Sequence, residues 1–119
     1  MLSEGKFTTM HGFRVWAVCV TLAAGSAAAW AAGPGDAKKG KEVFERCAVC
    51  HNADSDEQKM PGTPALKGLF KKEKLTSGKK PTEANVRAKI DEGGNGMPPF
   101  KDLLDETEKN NLIAYLKTL

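Results

Sequence analysis

Cys47-Ala48-Val49-Cys50-His51 places two thiols three positions apart with an imidazole directly after the second. Thiols at this spacing can bond the two vinyl groups of a haem, and a histidine at the next position can ligate its iron. Other chemistries share the Cys-x-x-Cys core. A thioredoxin-like redox pair wants a βαβ context, and the chain shows no strand alternation. A zinc site wants four ligands, and too few Cys and His follow residue 32 to complete one. A surface disulfide is the remaining rival.

His51 supplies one axial position. Beyond residue 32 the candidates for the other are Met60 and Met97. Met60 lies only nine residues past His51, and reaching the opposite haem face from there requires an awkward wrap. Met97 lies 46 residues away, beyond a whole helical pattern, so it can approach from the far side. Gly94 and Gly96 allow backbone close to the ring, and Pro98 and Pro99 stiffen the loop. The alternative is that Met97 is a core filler, a common use of methionine.

The elements that must position these residues are helical. Asp36 is a good N-cap, and the apolar spacing Val43, Cys47, Cys50, with Phe44 alongside, predicts a helix from Ala37 to about Cys47. Gly40 inside it costs about 1 kcal/mol relative to Ala, which close approach of another helix would explain. Gly33-Pro34-Gly35 reads as a flexible lead-in. Thr63 to Phe70 predicts a turn with at most one short helical turn, and Lys71 to Lys80 an exposed basic segment. Thr82 caps a second helix through Val86 and Ile90 that stops at Gly93-Gly94. Gly94 to Phe100 is a loop. Asp105-Glu106-Thr107-Glu108 forms a capping-box pattern before a last helix bearing Leu112, Tyr115, Leu116 and Leu119. The fold class is all-α: three main helices with long loops around a flat ligand.

Residues 1–31 read differently. Met1 to Arg14 is polar and net positive, Val15 to Ala32 is uncharged, and Ala29-Trp30-Ala31 fits signal peptidase cleavage after Ala31. The expectation is a cleaved signal peptide over 1–31 and one domain over 32–119. An uncleaved anchor is the alternative, since 18 uncharged residues approach the roughly 17–25 a spanning helix needs. Cleavage would remove Cys19 and leave 16 Lys/Arg against 14 Asp/Glu, a formal +2, far from the strongly basic face that nucleic acid requires. So short a chain buries a modest core, and a covalently held apolar cofactor would staple it.

The chain resembles class I c-type cytochromes of the small bacterial single-haem kind. The resemblance rests on Gly40 and Phe44 before Cys47 to His51, on Thr63-Pro64-Ala65-Leu66-Lys67-Gly68, on Gly96-Met97-Pro98, and on Leu112, Tyr115 and Leu116 of the last helix. It implies the cytochrome c fold with one covalent haem c on Cys47 and Cys50, axial iron ligands His51 and Met97, and the Pro64 carbonyl on the free ring nitrogen of His51. It also implies that the first and last helices cross at a glycine–aromatic contact, Gly40 against the Tyr115 region. Thr63 stands where relatives often carry Gly. No Trp follows residue 32 to meet a propionate, which leaves Asn85, Arg87 and Lys79 as candidates.

Filled axial positions leave no easy place for a substrate. The expected function is therefore a periplasmic one-electron shuttle, not an enzyme, working between respiratory or photosynthetic redox partners. Lys59, Lys67, Lys71, Lys72, Lys74, Lys79 and Lys80 would steer it toward acidic docking surfaces, or else form an ordinary solvated face, since Asp54, Asp56, Glu57 and Glu73 are interspersed. Alternatives are a haem subunit fixed to one oxidoreductase complex and a ligand-sensing haem domain whose methionine detaches. Membrane contact is expected only if residues 15–32 persist.

Overall fold

A computed structural model describes residues 33–119, so the expected signal peptide or anchor lies outside the described residues. Three α-helices follow in order: α1 (Ala37–Phe44), α2 (Glu83–Glu92) and α3 (Glu106–Leu116), with a 3₁₀ turn at Leu69–Lys71 between the first two. No strand forms among the described residues. The one bridge is an isolated antiparallel pairing of Gly94 with Met97. The all-α, three-helix expectation is met.

Each helix starts where its capping chemistry allows. Asp36 accepts from the backbone N–H groups of Lys38 and Lys39, and Thr82 from that of Asn85. At α3 the capping box is complete: Asp105 accepts from Glu108 N at 2.7 Å, and the Glu108 carboxylate accepts from Asp105 N at 3.0 Å. These bonds satisfy amides that the first turn leaves without intrahelical partners.

α1 ends at Phe44, three residues before the expected Cys47. Beyond Phe44 the ladder tightens. Glu45, Arg46 and Cys47 donate to the carbonyls three residues back, and only Ala48 and His51 return to four-residue spacing. The Cys-x-x-Cys-His segment is therefore a run of tight turns.

α1 packs against α3 at Gly40 of α1. A Cβ on Gly40 would sit 1.9 Å from the Asn111 carbonyl oxygen and 2.8 Å from Tyr115 Cβ. Gly35 is equally constrained, with Asn110 O at 1.9 Å from the same construction, so the end of the lead-in lies close against α3. Asn111, buried in α3, accepts from Asp36 N at 2.7 Å and ties that lead-in to the crossing. The Phe44 and Tyr115 rings meet at 5.2 Å, tilted by 54°. Leu112 and Ile113 are fully buried at the centre, with Phe44, Leu69, Val86, Ile90, Leu104 and Leu116 around them. Each such side chain contributes about 1.5–3 kcal/mol by leaving water.

Candidate haem centre

Cys47 and Cys50 are both half-buried and free, so the surface disulfide is not formed. Burial pushes the Cys47 thiol up to about 11; the Arg46 charge opposes this and Cys50 adds to it. A dithiol oxidoreductase needs the reverse, a thiolate stabilised well below the ordinary cysteine value. No group of three or more metal-binding side chains gathers among the described residues, which argues against the zinc rival. Val49, between the cysteines, is 68% exposed.

His51 Nδ1 lies 2.8 Å from the carbonyl oxygen of Pro64. A carbonyl can only accept, so the ring proton sits on Nδ1 and Nε2 keeps a lone pair free for a metal. The two segments are tied again one step further on, where Leu66 N donates to Asn52 O at 2.8 Å. Lys72 Nζ adds a bond to Ala65 O at 2.6 Å. The ring is thus oriented by the Pro64 carbonyl, and the segment that follows it is pinned at Ala65 and Leu66.

Met97 sits on a hairpin. Gly94 and Met97 exchange both backbone bonds, N to O at 2.9 Å one way and 3.2 Å the other. Asn95 and Gly96 between them have φ of 54° and 86°, the pair of positive angles that a type I′ turn demands and that Asn-Gly suits. Gly93 lies directly beneath, for a Cβ there would be 2.4 Å from Met97 O and 2.7 Å from Pro98 C. Phe100 N donates to Ile90 O at 2.9 Å, fastening the far end of the segment to α2. Met97 itself is half-buried against the core. Met60 is 46% exposed, on a turn closed by Thr63.

Around these residues the core is incompletely covered. Cys47, Ala48, Leu66, Phe70, Leu75, Met97 and Phe100 pack on it while remaining partly exposed. Two free thiols, an imidazole with a free lone pair, a thioether and this half-open apolar rim fit a flat apolar ring carrying a metal at its centre. Of the propionate candidates, Arg87 is engaged with Glu106 at 2.9 Å and with Asn110, which links α2 to α3. Asn85 Nδ2 is bonded to Lys80 O at 2.9 Å, and Lys79 is exposed.

Sequence reasoning missed Lys89. Its Nζ donates to Gly93 O at 2.8 Å and to Gly94 O at 3.1 Å. A cation in the last turn of a helix is the signal that would have found it.

Residues 37–119 match the family model described as cytochrome c. Over 83 residues the chain is 29% identical to cytochrome c6 of Diacronema lutheri, covering 69% of this chain and 94% of that protein. Its structure is similar to that of cytochrome c6 from the diatom Phaeodactylum tricornutum, with a TM-score of 0.54 and 28% identity, over 71% of this chain and 93% of the other.

Proposed function

We propose, on the premise that this chain belongs to the cytochrome c family, that it is an exported one-electron carrier whose haem iron is held between His51 and Met97. The family's cofactor is a single covalent haem c, and Cys47 and Cys50 are its attachment residues here. When bound, it supplies reversible one-electron oxidation and reduction. The protein supplies the rest. The cysteines tether, and the turns after Phe44 present them on one side with His51. Pro64 holds His51 in the tautomer and orientation that favour ligation. Met97 offers a soft thioether, which favours the reduced iron. Leu66, Phe70, Leu75 and Phe100 keep water away. With His51 and Met97 both ligating it, the iron would have no site left for a substrate, so the chain is not an enzyme in this reading.

The observation that carries the reading is the contrast between the two methionines. Met97 is half-buried on a hairpin locked by two backbone bonds, whereas Met60 is 46% exposed. Visible spectroscopy tests it. Met97→Ala is expected to lose the sulfur-to-iron band of the oxidised protein and to bind carbon monoxide when reduced, while Met60→Ala keeps the band. Retention of the band in Met97→Ala would overturn the assignment.

Export is supported by the signal-peptide layout of residues 1–31 and by the presence of an attachment site for covalent haem. The proposed partners are redox proteins, reached through the exposed haem edge near Ala48, Val49 and the Met97-Pro98-Pro99 segment. Intact-mass measurement of the mature protein tests cleavage and attachment together.

A further inference from the structure

We propose that Lys89 is a positioning residue for Met97, its ammonium holding the hairpin that presents the thioether. The proposal rests on the reading of Met97 as an iron ligand.

The end of α2 leaves carbonyls without helical partners, as every helix does. Just past that end, Gly93 O at the C-cap and Gly94 O in the hairpin converge on the Lys89 ammonium at 2.8 and 3.1 Å. Gly94 O also accepts from Met97 N at 3.2 Å, so one oxygen joins the lysine to the ligand's own backbone. A carbonyl has two lone pairs, and both are used. Hydrogen bonds from a charged donor are roughly twice as strong as neutral ones, and this donor favours a helix C-terminus electrostatically as well.

The arrangement is tight on its other side too. Gly93 has no room for a side chain between the helix end and the Met97–Pro98 backbone, so the hairpin lies flat on α2. Opening it to withdraw Met97 would separate Gly94 from Met97 and strip Gly94 O of one or both donors. Lys89 thus resists the motion that detaches the ligand. It does not belong to the core cluster.

Displacement of Met97 by imidazole in the ferric holoprotein measures that opening directly. Lys89→Met is expected to raise imidazole affinity about tenfold, the equivalent of losing one partly exposed charge-assisted bond. Lys89→Arg, which keeps the charge and the donors, is expected to stay within about twofold of wild type. Lys39→Met removes the same charge from the exposed face of α1 and should also leave the affinity unchanged. Loss of the sulfur-to-iron band, followed in the same titration, shows that Met97 is the group displaced. If wild type lacks that band, the reading of Met97 fails and this proposal with it. If wild type has the band, the proposal alone is overturned should Lys89→Met leave the affinity within about twofold, or should the Met and Arg variants raise it equally.

Discussion

Lys109 is 4% exposed, and it keeps its charge because Asp91 Oδ1 lies 2.8 Å and Glu106 Oε1 3.0 Å from its Nζ. The bond to Asp91 does most to raise its pKa, the bond to Glu106 adds to this, and burial opposes both. A group whose folded pKa is raised contributes stability in full below its unfolded value, about 10.4 for lysine. That contribution is lost as pH rises through the folded value. Lys109→Met should therefore destabilise the holoprotein by about 1–3 kcal/mol at neutral pH, since the buried Asp91 Oδ1 would lose the ammonium 2.8 Å away that balances its charge. The gap between the two proteins should stay level from neutrality to about pH 10 and narrow above it. Urea unfolding of both at each pH checks this, and a gap that widens with alkali would contradict it. The spacing of Glu106 and Lys109 shows one of these pairings in the sequence. Asp91 comes from another helix, and no local pattern points to it. The same division holds at the candidate site. Cys47, Cys50 and His51 are legible because their chemistry is local. The Lys89 contacts depend on how the chain folds back after Gly93, which the sequence shows only as a glycine-rich break.

At the scale of elements, the crossing of α1 and α3 sets helix propensity against packing. Replacing Gly40 by Ala should favour the helix by about 1 kcal/mol. The added methyl would lie 1.9 Å from Asn111 O, a backbone atom that cannot swing aside. The clash decides the sign, because overpacking commonly costs about 1–3 kcal/mol and a backbone contact lies at the upper end. Gly40→Ala should lower the denaturation midpoint of the holoprotein and disturb the Phe44–Tyr115 contact. A raised midpoint would mean that the helices do not cross there. The sequence marks Gly40 because it interrupts a helical pattern. Gly35 makes an equally close contact but lies beside a proline, where glycine is ordinary and raises no question. The helix starts were legible through Asp36, Thr82 and Asp105, since capping is a matter of near neighbours. The end of α1 was not. The apolar stripe runs on through Cys47 and Cys50 while the backbone leaves the helix at Phe44, because periodicity reports which side chains face inward and not which hydrogen bonds form.

For the molecule as a whole, the formal charge over 32–119 is only +2, and two propionates would offset it. Long-range attraction must then come from how the charges are arranged. Three lysines of the basic set are engaged in bonds: Lys59 on Ala48 O, Lys72 on Ala65 O, and Lys67 with Asp56 at 3.2 Å. Lys71, Lys74, Lys79 and Lys80 are exposed, with Glu73 the one acid in that segment. Phe70 and Leu75 of the half-open apolar rim bracket the first of them, so this positive stretch borders the surface where the haem would lie. A small anionic oxidant such as hexacyanoferrate probes that geometry without assuming a protein partner. Its reaction with the reduced protein should slow several-fold as ionic strength rises from about 0.01 M to about 1 M, where the Debye length shrinks from about 30 Å to about 3 Å. Reversing Lys79 and Lys80 together to Glu should flatten the salt dependence and leave the rate at about 1 M nearly unchanged, since contact chemistry at the haem edge is not altered. A salt dependence equally steep in the reversed variant would place the steering charges elsewhere. A flat response in the wild type would make the lysines an ordinary solvated face.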